Sequence, residues 1–99
     1  MAYRIEYDPE AREHLQALSA RQRVIVLDRV EEQLTHEPTV ETRNRKRMRP
    51  NPLAPWELRV AKLRVYYDVQ AGPEKIVTVR AVGTKDRNEV RIAGKVFEL

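Results

Sequence analysis

Glu57, Arg59, Arg64, Tyr66 and Asp68 alternate with apolar residues in the stretch Trp56–Val69, WELRVAKLRVYYDV. Period-two alternation marks strands that bury one face. Trp56, Leu58 and Val60 point one way, as do Leu63, Val65, Tyr67 and Val69 after a break at Ala61–Lys62, so the stretch reads as an antiparallel hairpin. The opposite face then carries two arginines, a tyrosine and two carboxylates on a rigid platform. Such a set can bind an anion and exchange a proton with it. It is also what the wet side of a half-exposed sheet carries, and alternation alone does not choose between the two.

Two neighbouring stretches add cations. In Arg43–Pro55, RNRKRMRPNPLAP, five of the first seven residues are basic: Arg43, Arg45, Lys46, Arg47 and Arg49. The excess of arginine favours planar, bidentate contact with phosphate, while prolines 50, 52 and 55 predict a loop without regular structure. A run of this kind repels itself unless it is solvated or paired with phosphates, and both readings stay open. Lys75–Val82 reads as a further strand, with Val77, Val79 and Ala81 toward the core and Arg80 joining Arg59 and Arg64. Gly83–Glu89 reads as a polar loop carrying Lys85 and Arg87.

The remaining elements must hold this platform in place. Tyr3, Ile5 and Tyr7 alternate with Arg4 and Glu6 as a first strand. Asp8-Pro9-Glu10 starts a helix, with Asp8 as its cap and Ala11, Leu15 and Leu18 as its apolar stripe. His14 borders that stripe and reads as a packed helix residue, since no catalytic partner is evident. Ser19 and Gln22 form a capping box for a second helix striped by Val24, Leu27, Val30 and Leu34. Val90–Ile92 and Lys95–Leu99 flank Ala93-Gly94 as a short terminal hairpin. The predicted class is α+β in a single domain over 1–99: an N-terminal strand, a helical hairpin, an antiparallel three-stranded sheet and a short C-terminal hairpin.

Composition narrows the chemistry. The chain has 99 residues, 41% hydrophobic and 34% charged, which suits one globular core. There is no cysteine, so disulfides and thiol chemistry are excluded, and two isolated histidines make a zinc site unexpected. No cofactor or metal is expected. The opening residues MAYRIEYDPE lack an apolar signal region and no apolar run approaches a membrane span, so a cytoplasmic protein without a membrane partner is expected. The net charge of +4 is uneven: five Arg against nine Asp or Glu through Thr42 gives −4, and 14 basic against six acidic residues afterwards gives +8. A basic second half favours an anionic partner, nucleic acid above all.

The opening YRIEYDPEAREHLQAL, the centre WELRVAKLRVYYDV and the following VTVRAVGTKDRNEV, in this order and spacing, resemble the RelE/ParE superfamily of bacterial type II toxin–antitoxin toxins across nearly the whole chain. The resemblance implies a RelE-like microbial ribonuclease fold and a co-expressed antitoxin. In the RelE branch the toxin enters the ribosome and cleaves mRNA by metal-free attack of the ribose 2′-hydroxyl on phosphate. In the ParE branch it inhibits DNA gyrase without catalysis. Carried onto this chain, the RelE pattern places Arg64 and Lys85 on the scissile phosphate, helped by Arg59 and Arg80, with Glu57 as a candidate base. Replacing Arg64 by alanine is then expected to abolish toxicity without unfolding the protein. The pattern's strand lysines fall on Pro55 and Glu57 and its late tyrosine on Arg91, a poor proton donor. Arg91 therefore counts, with Arg87 and the basic run, among candidate RNA contacts. Glu57 also reads as a cross-strand ion-pair partner of Arg64 or Arg59. These departures leave the gyrase branch, or an inactive nucleic-acid-binding relic, as alternatives.

Overall fold

Proline at the first helical position and a short alternating run before it set the start of the chain. The computed structural model describes residues 2–99. Strand β1 (Arg4–Tyr7) leads into helix α1 (Pro9–Gln16). Asp8 occupies the N-cap position, but its carboxylate makes no capping bond and pairs with Arg80 at 3.3 Å. Helix α2 (Ala20–Leu34) opens on the expected capping box: Ser19 Oγ accepts the Gln22 N–H at 3.1 Å, and Gln22 Oε1 accepts the Ser19 N–H at 3.2 Å. Arg23 ties the two helices together. Its guanidinium donates to the carbonyls of Leu15, Leu18 and Gln16, at 3.0, 3.2 and 3.4 Å, satisfying the orphan acceptors at the end of α1.

Six strands follow: β2 (Arg45–Arg47), β3 (Trp56–Val60), β4 (Leu63–Gln70), β5 (Ile76–Asp86), β6 (Glu89–Ile92) and β7 (Lys95–Glu98). They lie in the order β2-β3-β4-β5-β6-β7, antiparallel throughout, and β1 runs parallel beside the first half of β5, with Arg4 opposite Ile76 and Tyr7 opposite Val79. Among the described residues the fold is thus α+β with two helices and a seven-stranded sheet. Two expectations are corrected here. Arg45–Arg47 pairs with β3 as an edge strand instead of lying in an irregular loop. Gly83–Asp86 continues β5, so only a tight turn remains at Arg87–Asn88.

The helices cover one face of the sheet. Ala11, Leu15, Val26, Val30 and Leu34 pack on Trp56, Leu58, Val65, Tyr67, Val77, Val79 and Val82. Each fully buried aliphatic side chain there contributes about 1.5–3 kcal/mol. The stripe of α2 differs from the expected one: Val26 is buried, while Val24 and Leu27 are 56% and 38% exposed. Four consecutive apolar residues, Val24–Leu27, allow a helical stripe to be drawn in two phases, and only the sheet beneath chooses one. Among the described residues no helix is long and apolar enough to cross a membrane.

A β-bulge shapes the other face. Tyr66 pairs with Ala81 but Tyr67 with Val79, which leaves Arg80 as the extra residue. The bulge inverts the phase of β5. Ala81, expected in the main core with Val77 and Val79, turns to the second face and packs with Tyr66, Val90, Ile92 and Ala54, supported by Met48, Leu53 and Phe97. Gly83 lies on this face against the terminal hairpin. A Cβ there would stand 2.5 Å from Ile92 Cγ1 and 2.6 Å from the Arg91 carbonyl oxygen, so only glycine permits the close approach. The second face is therefore roofed by the 48–55 segment and by β6–β7 and is only partly wet.

Candidate functional site

Cross-strand register aligns Lys46, Glu57, Tyr66 and Ala81 in one row across β2–β5, and Arg59, Arg64 and Gly83 in the next. Side chains in a row share a face, so the strand alternation of the hairpin brings Glu57, Arg64 and Tyr66 together on the second face. Glu57 is 7% exposed and Tyr66 fully buried. The Tyr66 hydroxyl donates to Glu57 Oε2 at 2.9 Å, and Arg64 Nε lies 4.0 Å from Glu57 Oε1. Burial pushes the Tyr66 hydroxyl well above the usual phenol range, and the adjacent Glu57 carboxylate adds to the rise. Tyr66 is thus a fixed donor that keeps its proton. Burial lowers the Arg64 guanidinium, Glu57 opposes that fall and Arg59 adds to it; an arginine stays charged nonetheless.

Arg64 is anchored from below. Its Nη1 donates to the Ala61 and Leu63 carbonyls, both at 2.8 Å, clasping the β3–β4 turn in which Ala61 takes φ 54°. Nε is buried without a hydrogen-bond partner. Arg64 is 8% exposed, so it underlies the site as part of the fold, and the expectation that its loss leaves the fold intact is revised. The same turn reaches β5, where Lys62 O accepts the Lys85 N–H at 2.8 Å.

Lys85 owes its orientation to the bulge. Simple alternation from Val77 and Val79 sends Lys85 into the main core; the extra residue at Arg80 turns it to the face of Glu57. A cleft of about 620 Å³ opens above Glu57, and its charged lining is Lys46, Arg47, Arg49, Glu57, Lys85 and Glu98. One wall is formed by residues 48–52, part of the segment 48–55 that hydrogen bonds hold in place despite its prolines. Met48 N–H donates to Pro55 O at 2.7 Å, Asn51 Oδ1 accepts the N–H groups of Leu53 and Ala54, and Asn51 Nδ2 donates to the carbonyls of Arg49 and Ala54.

The other candidate cations are engaged by neighbouring groups or lie away from the cleft. Arg45 is 8% exposed and donates to the carbonyls of Val40 and Gln33, at 2.9 and 2.7 Å, which makes it a tie between β2 and α2. Arg47 stacks over Trp56 at 5.7 Å while bordering the cleft. Arg80 is held by Asp8 and Asp68, at 3.3 and 3.4 Å, its charge already balanced. Arg43 is exposed before β2, Arg59 is exposed opposite Arg64, and Arg87 is exposed in the β5–β6 turn with φ 59°. Arg91 sits opposite Thr84, on the reverse of the hairpin from Val90 and Ile92. His14, on α1, accepts the Val82 N–H on Nδ1 at 3.3 Å and has a packing role. Glu98 escaped sequence reading; no local pattern links the end of the chain to Glu57.

The assembled group is a buried carboxylate with one oxygen bound by a phenol and the other facing a guanidinium at long range, beneath a cleft walled by lysines and Arg49. That arrangement can hold an anion and accept a proton from a group beside it. No protein-family model and no curated protein sequence matches this chain.

Proposed function

We propose that this chain is a RelE-type toxin that cleaves RNA on the ribosome, acts in the cytoplasm, and is held inactive by a partner antitoxin. The observation that carries the reading is the position of Glu57, a carboxylate fixed by Tyr66 at the floor of a cleft bordered by Lys85 and Arg49. Glu57 accepts the proton of a ribose 2′-hydroxyl as that oxygen attacks the adjacent phosphorus. Lys85 and Arg49, which both line the cleft, hold the phosphate and stabilise the charge that develops on it. Arg64 beneath the floor places its guanidinium Nε 4.0 Å from the carboxylate as a counter-ion. The RNA strand beyond the cleft meets Arg43 and Arg59, and the strong positive balance of the second half of the chain supports that contact.

The second reading is a ParE-like protein that binds DNA gyrase without catalysis. What favours it is the burial of Glu57 and Tyr66, whose mutual bond resembles a satisfied structural pair. Pulse-labelling after induction of the chain alone separates the two. The nuclease reading expects protein synthesis to fall first while DNA synthesis continues. Early loss of DNA synthesis moves the target to gyrase, and unchanged synthesis of both in cells that accumulate folded protein overturns the toxin reading.

A further inference from the structure

Transesterification by a 2′-hydroxyl needs a second group, because the departing 5′-oxygen must receive a proton. The obvious donors are disqualified by their surroundings or position. The Tyr66 hydroxyl is fully buried and committed to Glu57. Arg64 is buried with its Nη1 on the turn carbonyls, and Arg91 lies on the reverse of the hairpin.

Lys46 meets the requirements. It stands directly opposite Glu57 in the β2–β3 register, and both line the same cleft. Directly opposed residues of an antiparallel pair have Cβ atoms about 4.5–5.5 Å apart. A four-carbon stem therefore lets the ammonium stand on the far side of a phosphate whose near side touches the carboxylate. β2 is an edge strand and Lys46 is exposed, so the side chain can swing toward a substrate. Among the described residues no carboxylate lies within ion-pair distance of its nitrogen. Its neighbours Arg45 and Arg47 are both occupied, one by carbonyls and one by the Trp56 ring.

We infer that Lys46 is the general acid of the site, working across the β2–β3 pair from Glu57. This inference rests on the nuclease reading above. In the step, Glu57 takes the 2′-hydroxyl proton, the 2′-oxygen bonds to phosphorus, the P–O5′ bond breaks, and the Lys46 ammonium gives its proton to the departing 5′-oxygen. The products are a 2′,3′-cyclic phosphate and a 5′-hydroxyl. Exchange of protons with water then restores the carboxylate and the ammonium, with no net proton gained or lost.

The test uses two mRNAs on translating ribosomes, identical except that one carries sulfur in place of the bridging 5′-oxygen at the cleavage site. A thiolate leaves without protonation, so that substrate does not need the acid. Lys46→Met is expected to slow cleavage of the oxygen substrate by roughly 10²–10³-fold and to leave the sulfur substrate within about threefold of the unmutated chain. Lys85→Met, which removes a phosphate contact, is expected to slow both. Equal loss on both substrates in Lys46→Met makes Lys46 a phosphate contact and overturns the assignment, and so does unchanged cleavage of both. Failure of the unmutated chain to cut either substrate removes the nuclease reading and this inference with it. Lys46 is exposed, so circular dichroism of the variant is expected to match that of the unmutated chain.

Discussion

Replacing Arg64 by methionine leaves a carboxylate in a place where water cannot easily compensate it. The side chains of Arg64 and Glu57 are 9% and 8% exposed, with Nε and Oε1 4.0 Å apart. At that separation, and with an effective dielectric of about 20, the attraction is about 4 kcal/mol. Two turn carbonyls also lose a charged donor, and removal of one member of a buried pair typically costs about 3–5 kcal/mol. A loss of that size is a large share of the roughly 5–15 kcal/mol available to a domain. Urea unfolding followed by fluorescence of Trp56, the sole tryptophan, stacked on Tyr67 in the main core, measures it. The same substitution in a Glu57→Gln background is expected to cost about 1–3 kcal/mol less, because the uncompensated charge is gone. A loss below about 0.5 kcal/mol in the single variant, or strictly additive variants, refutes the view of Arg64 as a buried counter-ion.

Three other outcomes follow from the packing. Gly83→Ala forces a methyl into the Arg91 carbonyl and Ile92, so a destabilisation of about 1–3 kcal/mol and faster amide exchange in β6 and β7 are expected; unchanged exchange there contradicts the close contact. Burial lowers the pKa of His14 from 6.5 against the opposing pull of Glu10 and Glu13, and its Nδ1 accepts the Val82 N–H. Its folded form binds protons less readily than the unfolded chain, so this contribution is complete above pH 6.5 and is lost as pH falls from there through the lower folded value; the urea midpoint of His14→Asn is expected to fall less over the same range. Arg23→Met strips three carbonyl bonds from the end of α1, and scanning calorimetry is expected to show a lower Tm, equivalent to roughly 1–2 kcal/mol.

Much of this architecture is written in local patterns. The alternation of Trp56–Val69 specified both faces of the β3–β4 hairpin, and Ser19 with Gln22 specified the start of α2, because each signal depends only on neighbours in the chain. What local patterns miss is phase. A bulge adds one residue without a sequence mark, so alternation through Arg80 sent Ala81 to the wrong face and concealed how Lys85 reaches the cleft. The basic run misled in a similar way: its charges suggested one uniform loop, yet a three-residue strand sends Arg45 under α2, Arg47 onto Trp56 and Lys46 toward Glu57. Burial of Tyr66, which fixes its bond to Glu57, depends on a roof supplied by distant segments, which no window of the sequence contains.

Mapping RNA ends after adding the purified chain to translating ribosomes tests the proposed role of Glu57 as the base of an RNA-cleaving site. Glu57→Gln keeps an acceptor for the Tyr66 hydroxyl but cannot take up the proton. With Glu57 as the base, new 2′,3′-cyclic phosphate and 5′-hydroxyl ends are expected with the unmutated chain, and a rate lower by roughly 10²–10⁴-fold in a folded Glu57→Gln variant. Intact RNA with the unmutated chain, or equal cleavage by Glu57→Gln, contradicts that role.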